Sequence, residues 1–384
     1  MQTSDFDGQL GIVDLHTHPS MMPYMFGTKF WKAHHPPTWY CPWAMRADLD
    51  ALLAGGVKTF LCTTFVLERA MFDDIWPLRA LAAVYPHARH IAKTPIQELL
   101  WEYLDFAENM VEETRRLRGD VIEIARTFAD MQRITDAGKL CMLHAVEGAH
   151  HLCGDIGMVD KLYERGVCQM IVPHLYPNEA CGCVDMLTKD IRGRLPFSLG
   201  CFSEKYQDAS GLTDWGRELV EKLLDVGILV DPTHGTRECR RQVLEIARNN
   251  AKKRPVIMSH ASVPSLSPAG VGPLPEEIRE IADTGGVVGL MMYTHREKGG
   301  GGGSGSGIDY ILNGVDHLIQ HGGEDVVAIG SDFDGTPDTP ADLKSPRDYK
   351  GLRQAMLAKH TETQVAKFLS GNAERVLKNG WGRQ

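Results

Sequence analysis

Two histidines separated by one residue close the first apolar run of the chain. The stretch GIVDLHTHPS, residues 11 to 20, is largely apolar from Ile12 to Leu15 and then presents His16 and His18. Alternate residues of a β-strand point to the same side, so a strand that ends here lets both imidazoles reach one point beyond it. This spacing indicates a metal site. His-x-His pairs also arise by chance, so other segments have to supply the remaining ligands.

Five later apolar runs also end in a histidine or an acidic residue. In a barrel of parallel strands all carboxyl ends converge on one rim, which is where such barrels hold their active sites. A random placement of polar residues would not produce this convergence, which therefore predicts a metal centre. The predicted ligands are His16, His18, Glu147, His234, His260 and Asp332. His174 closes another of these runs and is predicted to be a catalytic and substrate-binding residue.

The donor set indicates the chemistry. Imidazole and carboxylate donors suit zinc or a similar divalent ion. Six donors are too many for one tetrahedral catalytic zinc, and they suit two ions bridged by a carboxylate, for which Glu147 is the natural candidate. Two such ions can share a hydroxide and lower the pKa of the water that supplies it.

Two further roles follow from this prediction. Asp332 is expected to bind one ion and to handle the proton during attack and leaving-group departure. His174 is expected to polarise a substrate carbonyl and to stabilise the oxyanion. Asp334 is an alternative to Asp332, although it lies just before the turn expected at Gly335.

Eight short apolar runs alternate with longer segments of helical periodicity. The runs are continuous rather than alternating, which is typical of parallel strands covered by helices. Helices are predicted before the second, fifth and seventh runs, with Thr213 and Gly227 as the N-terminal cap and the stop of the second of these helices. The runs are GIVDLH (11–16), VKTFLCTTF (57–65), KLCMLHAVE (139–147), VCQMIVPH (167–174), GILVDPTH (227–234), PVIMSH (255–260), GVVGLMM (286–292) and VVAIGSD (326–332).

This alternation predicts an α/β fold, a (β/α)8 TIM-type barrel. Residues 66–138 form a long insertion between the second and third strands, where two or three extra helices are expected. A doubly wound open sheet is the alternative. No G-x-G-x-x-G motif opens the first helix, which speaks against that alternative.

Composition indicates a globular protein and argues against nucleic-acid-binding, membrane-spanning and disulfide-rich classes. The chain has 384 residues, of which 43% are hydrophobic and 24% charged, with a formal net charge of −9, so nucleic acid is not an expected partner. The N-terminus lacks the features of a signal peptide, and no apolar run approaches the roughly 20 residues that span a bilayer. Nine scattered cysteines do not suggest a disulfide framework. We therefore predict a single domain over residues 1–384. We also predict that the protein lies in the cytoplasm and has no membrane partner.

Two loops on the predicted catalytic rim have open interpretations. The aromatic stretch at residues 23–43 is expected either to wall an apolar substrate pocket or to form a subunit interface. Residues 299–307 are rich in glycine and serine and are predicted to be flexible. They suit a mobile lid segment or an engineered replacement of a longer loop.

The ordered motifs of the chain resemble those of the membrane (renal) dipeptidases, peptidase family M19 of the amidohydrolase superfamily. The resemblance runs over nearly the whole chain and rests on HAVEGAH, GLTDWGRELVEKLLDVGILVDPTH, PVIMSHAS, IGSDFDG and SGNAERVL. It implies a (β/α)8 barrel with two zinc ions that hydrolyses dipeptides, usually as a homodimer. Carried over by motif, one ion takes His16, His18 and Glu147, and the other takes Glu147, His234 and His260. His174 matches the substrate-contacting histidine and Asp332 the catalytic acid.

Two positions depart from the family pattern. The family has His-x-Asp on the first strand, whereas this chain has His18, which removes one negative charge from the site. The family also has an Arg-Asn pair after the sixth strand, whose arginine holds the dipeptide carboxylate. Ala269 and Gly270 lie near the corresponding place, and Arg296 is one candidate for a substitute clamp.

The resulting prediction is a binuclear metal-dependent hydrolase acting on a dipeptide or another small amide. A lactone or ester hydrolase is one alternative, because the carboxylate clamp is missing. A metal-binding family member without hydrolytic activity, in a biosynthetic pathway, is the other. Metal dependence of turnover separates hydrolysis from mere binding, and a substrate panel separates amides from esters.

Overall fold

The computed structural model of the protein describes residues 10–37, 41, 43–183, 210–262, 272–293, 307–336 and 339–382. Within these segments nine β-strands form one sheet. The strands are β1 (Ile12–Thr17), β2 (Val57–Thr64), β3 (Ile122–Ile124), β4 (Leu140–Glu147), β5 (Val167–Ile171), β6 (Leu229–Asp231), β7 (Ile257–Ala261), β8 (Val287–Leu290) and β9 (Val327–Ile329).

Eight of these strands form a barrel. Their order is β6-β5-β4-β2-β1-β9-β8-β7, and every ladder between them is parallel. A parallel bridge between Val230 and Val256 joins the two ends of this order and closes the barrel. The parallel (β/α)8 architecture predicted from the sequence is therefore confirmed.

Helices surround the barrel. In the described segments the α-helices are α1 (Met21–Phe26), α2 (Leu49–Gly55), α3 (Arg69–Asp74), α4 (Trp76–Val84), α5 (Pro86–Lys93), α6 (Ile96–Arg118), α7 (Phe128–Asp136), α8 (Met158–Arg165), α9 (Asp214–Val226), α10 (Arg237–Asn249), α11 (Pro275–Asp283), α12 (Gly307–Gly322), α13 (Tyr349–Leu357), α14 (Glu362–Ala366) and α15 (Asn372–Gly380). The described segments also contain short 3₁₀ helices at Ala149–Leu152, Glu324–Val326 and Pro346–Asp348 and a π-helix at Lys367–Gly371. None of the described helices has the length and apolarity that crossing a bilayer requires.

Local sequence signals set the ends of α9. The Thr213 side chain accepts a hydrogen bond from Gly216 N at the start of the helix. Gly227 ends it with a φ of 95°, a left-handed conformation that glycine adopts without steric cost. Both residues act as the sequence predicts.

The insertion between the second and third predicted strands is more complex than expected. It holds five helices, α3 to α7, instead of two or three, and a ninth strand, β3. The three residues of β3 pair with the N-terminal half of β4, whereas β5 pairs with its C-terminal half. A run this short carries no periodicity that a sequence pattern could reveal.

Three predicted strands end three residues before their apolar runs do. β5 stops at Ile171, β6 at Asp231 and β9 at Ile329. Pro173 and Pro232 lie just beyond the first two strands, and proline has no N–H to continue a ladder. His174, His234 and Asp332 consequently lie in turns beyond the strands.

Two apolar layers support the rim. Each layer is a cluster of buried apolar side chains. The smaller of these two clusters takes residues from all eight barrel strands, including Leu61, Leu143 and Ile257, so it fills the barrel interior. It also includes Trp381, which follows α15. Gly382 donates a hydrogen bond from its N–H to Gly227 O, just before β6, so α15 closes the N-terminal end of the barrel, opposite the rim. The larger cluster packs the strands against the helices. Apart from Gly307, the loop predicted at residues 299–307 lies outside the described residues.

A buried ion pair ties the helix layer to the rim. Arg240 on α10 donates to both carboxylate oxygens of Glu277 on α11, with Nε–Oε1 at 2.8 Å and Nη2–Oε2 at 3.2 Å. Its Nη1 donates to Gly235 O at 3.1 Å, directly after His234. The side chain of Arg240 is 1% exposed.

We predict that Arg240→Met destabilises the fold by about 3–5 kcal/mol, because it leaves the Glu277 carboxylate buried without its cation. Arg241→Met is the matched control. Arg241 is the next residue on the same helix, but its pairs with Glu238 and Glu245 are exposed and contribute little to stability. Urea unfolding of both variants measures the difference. Equal losses of stability would contradict a structural role for the buried pair.

Candidate metal centre

The rim brings the predicted ligands together. Three groups of potential donor atoms each lie within 4.8 Å of one another, and all of the residues are buried. Glu147 and His16 each belong to two groups, so the groups form one continuous cluster. The groups are His16, His18 and Asp332; His16, Glu147 and His260; and Glu147, His174 and His234.

Glu147 lies at the centre of this cluster. Its Oε1 is 3.0 Å from His234 Nε2, 3.6 Å from His174 Nε2 and 3.9 Å from His260 Nε2. Its Oε2 is 3.4 Å from His18 Nε2. The two carboxylate oxygens therefore face different histidines, which is the arrangement that a bridging ligand requires.

Two pairs of imidazole nitrogens face each other across the cluster. His16 Nε2 is 2.9 Å from His18 Nε2, and His260 Nε2 is 3.0 Å from His234 Nε2. The Nδ1 of His18 lies 3.1 Å from Thr63 O, which can only accept, so Nδ1 carries the proton of the neutral ring, whose Nε2 lone pair then points into the cluster. Lone pairs that converge in this way repel each other unless a cation lies between them. The donor set thus fits divalent ions.

Burial controls the charges of these groups. It raises the pKa of the Glu147 carboxyl to about 8 and lowers that of His234 to about 4. Burial and the neighbouring imidazoles hold the pKa values of His16 and His260 well below the usual range. These three histidines are therefore neutral near pH 7 and present lone pairs. His18 differs, because a hydrogen bond to Asp332 and the charge of Glu147 outweigh its burial and raise its pKa.

Asp332 lies at the His16–His18 side of the cluster. Its Oδ1 is 3.4 Å from His18 Nε2 and 3.6 Å from His16 Nε2. Asp334, the sequence alternative, instead accepts hydrogen bonds from the backbone N–H groups of Arg46 and Ala47, at 2.6 and 3.1 Å. The structure therefore brings Asp332, and not Asp334, into the donor groups.

Two fully buried aspartates hold the backbone that carries the ligands. Asp14 accepts from Ser331 N and from the Tyr349 hydroxyl, both at 2.9 Å, and so ties β1 to the turn of Asp332. Asp231 accepts from Thr233 N at 2.8 Å and from Ser259 N at 3.0 Å, and so ties the turn of His234 to β7. Both acids thus support the ligands through backbone N–H and hydroxyl groups and not through the imidazole rings.

The turns themselves adopt an unusual conformation. Five non-glycine residues in the described segments have positive φ, and three of them, His234, Asp332 and Asp334, lie at this rim. Such conformations are costly for residues with a Cβ, and they persist where surrounding hydrogen bonds impose them. The anchoring acids supply these bonds.

Glu68 belongs to the site, although the sequence interpretation does not include it. Its Oε1 is 2.9 Å from His174 Nδ1 and accepts from Leu175 N at 3.3 Å. Its Oε2 has no hydrogen-bond partner among the described residues. Burial raises its pKa. One feature of the sequence could have identified it. Glu68 follows the end of β2 by four residues, and the predicted ligands likewise lie at or just after the ends of other strands.

Three further histidines close to Glu147 in the sequence contact other protein groups and not the donor cluster. His144 lies 3.1 Å from Glu108 Oε1 on α6. His151 Nε2 accepts from Val66 N at 3.0 Å, and His150 Nε2 donates to Val66 O at 2.9 Å. These last two fix the backbone two residues before Glu68.

The residues relevant to a carboxylate clamp lie outside the described residues. They are Ala269, Gly270 and Arg296.

Comparisons with known proteins agree with this architecture. A probable dipeptidase, PvdM, from Pseudomonas aeruginosa superposes with a TM-score of 0.74 at 16% identity, covering 98% of this chain and 97% of its own. A dipeptidase AC of family M19 gives 0.72 at 19% identity, with 97% and 99% covered. A Rhodobacter sphaeroides metallopeptidase, liganded with a phosphinate mimic of L-Ala-D-Ala, gives 0.71 at 19%, with the same coverage. At these identities the similarity shows the fold.

A match to the sequence pattern of a protein family shows which family the chain belongs to. The model described as membrane dipeptidase (peptidase family M19) matches residues 12–380, which include every strand of the barrel and all of the predicted ligands. The chain therefore belongs to peptidase family M19, the membrane dipeptidase family, and is a metal-dependent hydrolase.

Proposed function

We propose that this protein hydrolyses the C–N bond of a dipeptide or of another small amide with two bound divalent ions, zinc being favoured. The observation that carries the proposal is the position of Glu147 at the centre of the histidines. Its Oε2 faces His18, and its Oε1 faces His16, His174, His234 and His260. A donor set of imidazoles and carboxylates suits zinc. One ion would be held by His16, His18 and Glu147, and the other by Glu147, His234 and His260.

The roles of the remaining residues follow from their contacts. Bound divalent ions polarise a carbonyl and lower the pKa of a water molecule. Asp332, with one oxygen near His18 and the carboxylate partly open, is positioned to take a proton from the attacking water and to return it to the leaving amine. His174 Nδ1 lies 2.9 Å from Glu68 Oε1, and burial raises the pKa of that carboxyl. A protonated Glu68 donates to Nδ1, which leaves the His174 proton on Nε2, where it can donate to the carbonyl oxygen of the substrate.

A lactone or an ester is the second candidate substrate. The observation that favours it is the sequence at Ala269 and Gly270, where family members carry the Arg-Asn pair that binds the dipeptide carboxylate. A non-hydrolytic role is disfavoured, because the bridging carboxylate, four histidines and the proposed proton carrier all converge. A homodimer is proposed from the family resemblance, and a cytoplasmic location from composition.

Hydrolysis of a dipeptide panel tests the proposal. The panel pairs glycine, alanine, leucine and phenylalanine and includes D-residues at the C-terminal position. We expect zinc-reconstituted protein to cleave members of the panel, and protein treated with a chelator and dialysed to lose this activity until zinc returns. Cleavage that survives chelation with no metal bound by elemental analysis would contradict a metal-dependent mechanism. Cleavage of esters and lactones but of no dipeptide would favour the second candidate.

Asp332→Asn is expected to reduce kcat at least about 100-fold, because the amide cannot accept the proton that the carboxylate takes. His234→Ala is expected to remove activity by weakening one metal site, with metal content falling from two ions towards one. His321→Ala on α12 is the control. Circular dichroism checks that each variant is folded. Full activity in Asp332→Asn would exclude the proposed proton-transfer role.

Glu68→Ala is expected to lower kcat about 10–100-fold with little change in KM, because His174 loses the partner that fixes its ring orientation and proton position. Glu68→Gln offers an amide N–H to His174 Nδ1 in place of the carboxyl proton and is expected to recover part of the loss. Metal content is measured for both variants and should stay at that of the wild type. If Gln and Ala variants lose activity only in proportion to lost metal, Glu68 is merely structural.

A further inference from the structure

A mainly apolar cavity lies beside the metal centre and has no part in the roles assigned so far. Its volume is about 290 Å³. It is walled by α1 and the loop that follows it, by the chain just after β2 and by helices α3 to α6 of the insertion. Residues that define its apolar character are Met22, Met25, Phe65, Met71, Leu78 and Tyr103.

The cavity is continuous with the catalytic rim at two points. Gly335 lines it, and a Cβ placed on Gly335 would overlap Asp332 Oδ1 and lie 2.6 Å from His18 Cδ2. Phe65 also lines it, and its ring centroid is 4.4 Å from that of His174. The cavity thus borders the proposed proton carrier on one side and the proposed carbonyl-binding histidine on the other. A substituent of the substrate that lies inside the cavity would therefore be next to the bond that reacts.

The few charged groups at the cavity have protein partners. The Asp334 carboxylate accepts hydrogen bonds from the backbone of Arg46 and Ala47. Arg46 Nη1 donates to Lys344 O at 3.4 Å. Around these groups the walls are thioethers and aromatic rings, which bind apolar groups and adapt to their shape.

The outer end of the cavity is also apolar. Trp43 is 67% exposed and Phe26 is 39% exposed, and their rings pack edge to face with centroids 5.8 Å apart. Both residues line the cavity. Large exposed aromatic side chains at the mouth of a cavity are typical of a ligand entrance. The sequence interpretation had left this stretch between a pocket wall and a subunit interface.

We propose that the cavity binds a bulky apolar substituent next to the scissile bond, so that the preferred substrates carry an aromatic or large aliphatic side chain. The proposal rests on the proposed hydrolytic function. Size supports it, because a cavity of about 150 Å³ is enough to hold benzene, and this one is about twice as large. It also offers binding that does not depend on a carboxylate clamp.

The test compares kcat/KM for matched substrates with glycine, alanine, leucine or phenylalanine on either side of the bond. Zinc-reconstituted wild-type protein is expected to prefer phenylalanine or leucine over glycine at one position by at least about tenfold, since burial of a larger apolar side chain strengthens binding. Ala44, a half-buried residue that lines the cavity, allows the space to be filled. Ala44→Trp is expected to lower that preference at least about tenfold.

Leu357→Trp is the matched control, because it adds the same side chain at an exposed position on α13 and should leave the preference unchanged. Met25→Ala enlarges the cavity and is expected to shift the preference towards larger groups. This variant keeps the test decisive if Ala44→Trp does not fold. Equal kcat/KM for glycine and phenylalanine substrates at both positions would overturn the proposal. Dissociation of a dimer by Ala44→Trp with unchanged preference would also overturn it.

Binding of indole separates this proposal from the hydrolytic one. If no member of any substrate panel is cleaved, the proposed function fails, and isothermal titration calorimetry with indole still tests the cavity. Binding to the wild type that is lost in Ala44→Trp and retained in Leu357→Trp would support an apolar occupant. Absence of indole binding to the wild type would refute it.

Discussion

The structure depends on keeping one carboxylate and several imidazoles converged in a buried space. Five histidine Nε2 atoms lie within 3.9 Å of one or other oxygen of Glu147, and burial raises the pKa of this carboxyl. Such a cluster is unfavourable without cations, because lone pairs repel each other and a buried charge loses its hydration. The protein has to impose this geometry, and the hydrogen bonds around the rim show how it does so.

The imposed geometry is largely a property of the backbone. The ligands at His234 and Asp332 lie on turns with positive φ, beyond strands that have already ended. Asp231 and Asp14 hold these turns by accepting N–H groups from the neighbouring strand or turn. The donors are therefore positioned by anchored main chain, which is stiffer than a chain of side-chain contacts. Arg240 extends the same support outward to the helix layer.

The part of the site that faces a substrate comes from other segments. Glu68 and Phe65 both contact His174, and both are on the chain just after β2, where two histidines hold Val66 by its N–H and its carbonyl. The cavity next to them is formed by α1 and the insertion, neither of which carries a predicted metal ligand. In the proposed function, metal binding would thus belong to the barrel and substrate selection to its additions.

The amino-acid sequence by itself determined the barrel and the convergence of its ligands, because parallel strands read as continuous apolar runs and their carboxyl ends meet at one rim. Helix limits such as Thr213 and Gly227 were likewise local properties. Tertiary structure alone decided the pairing of β3, the role of Glu68 and the cavity beside Phe65. These features arise from contacts between segments distant in sequence, and no periodicity or spacing records which side chains such contacts bring together.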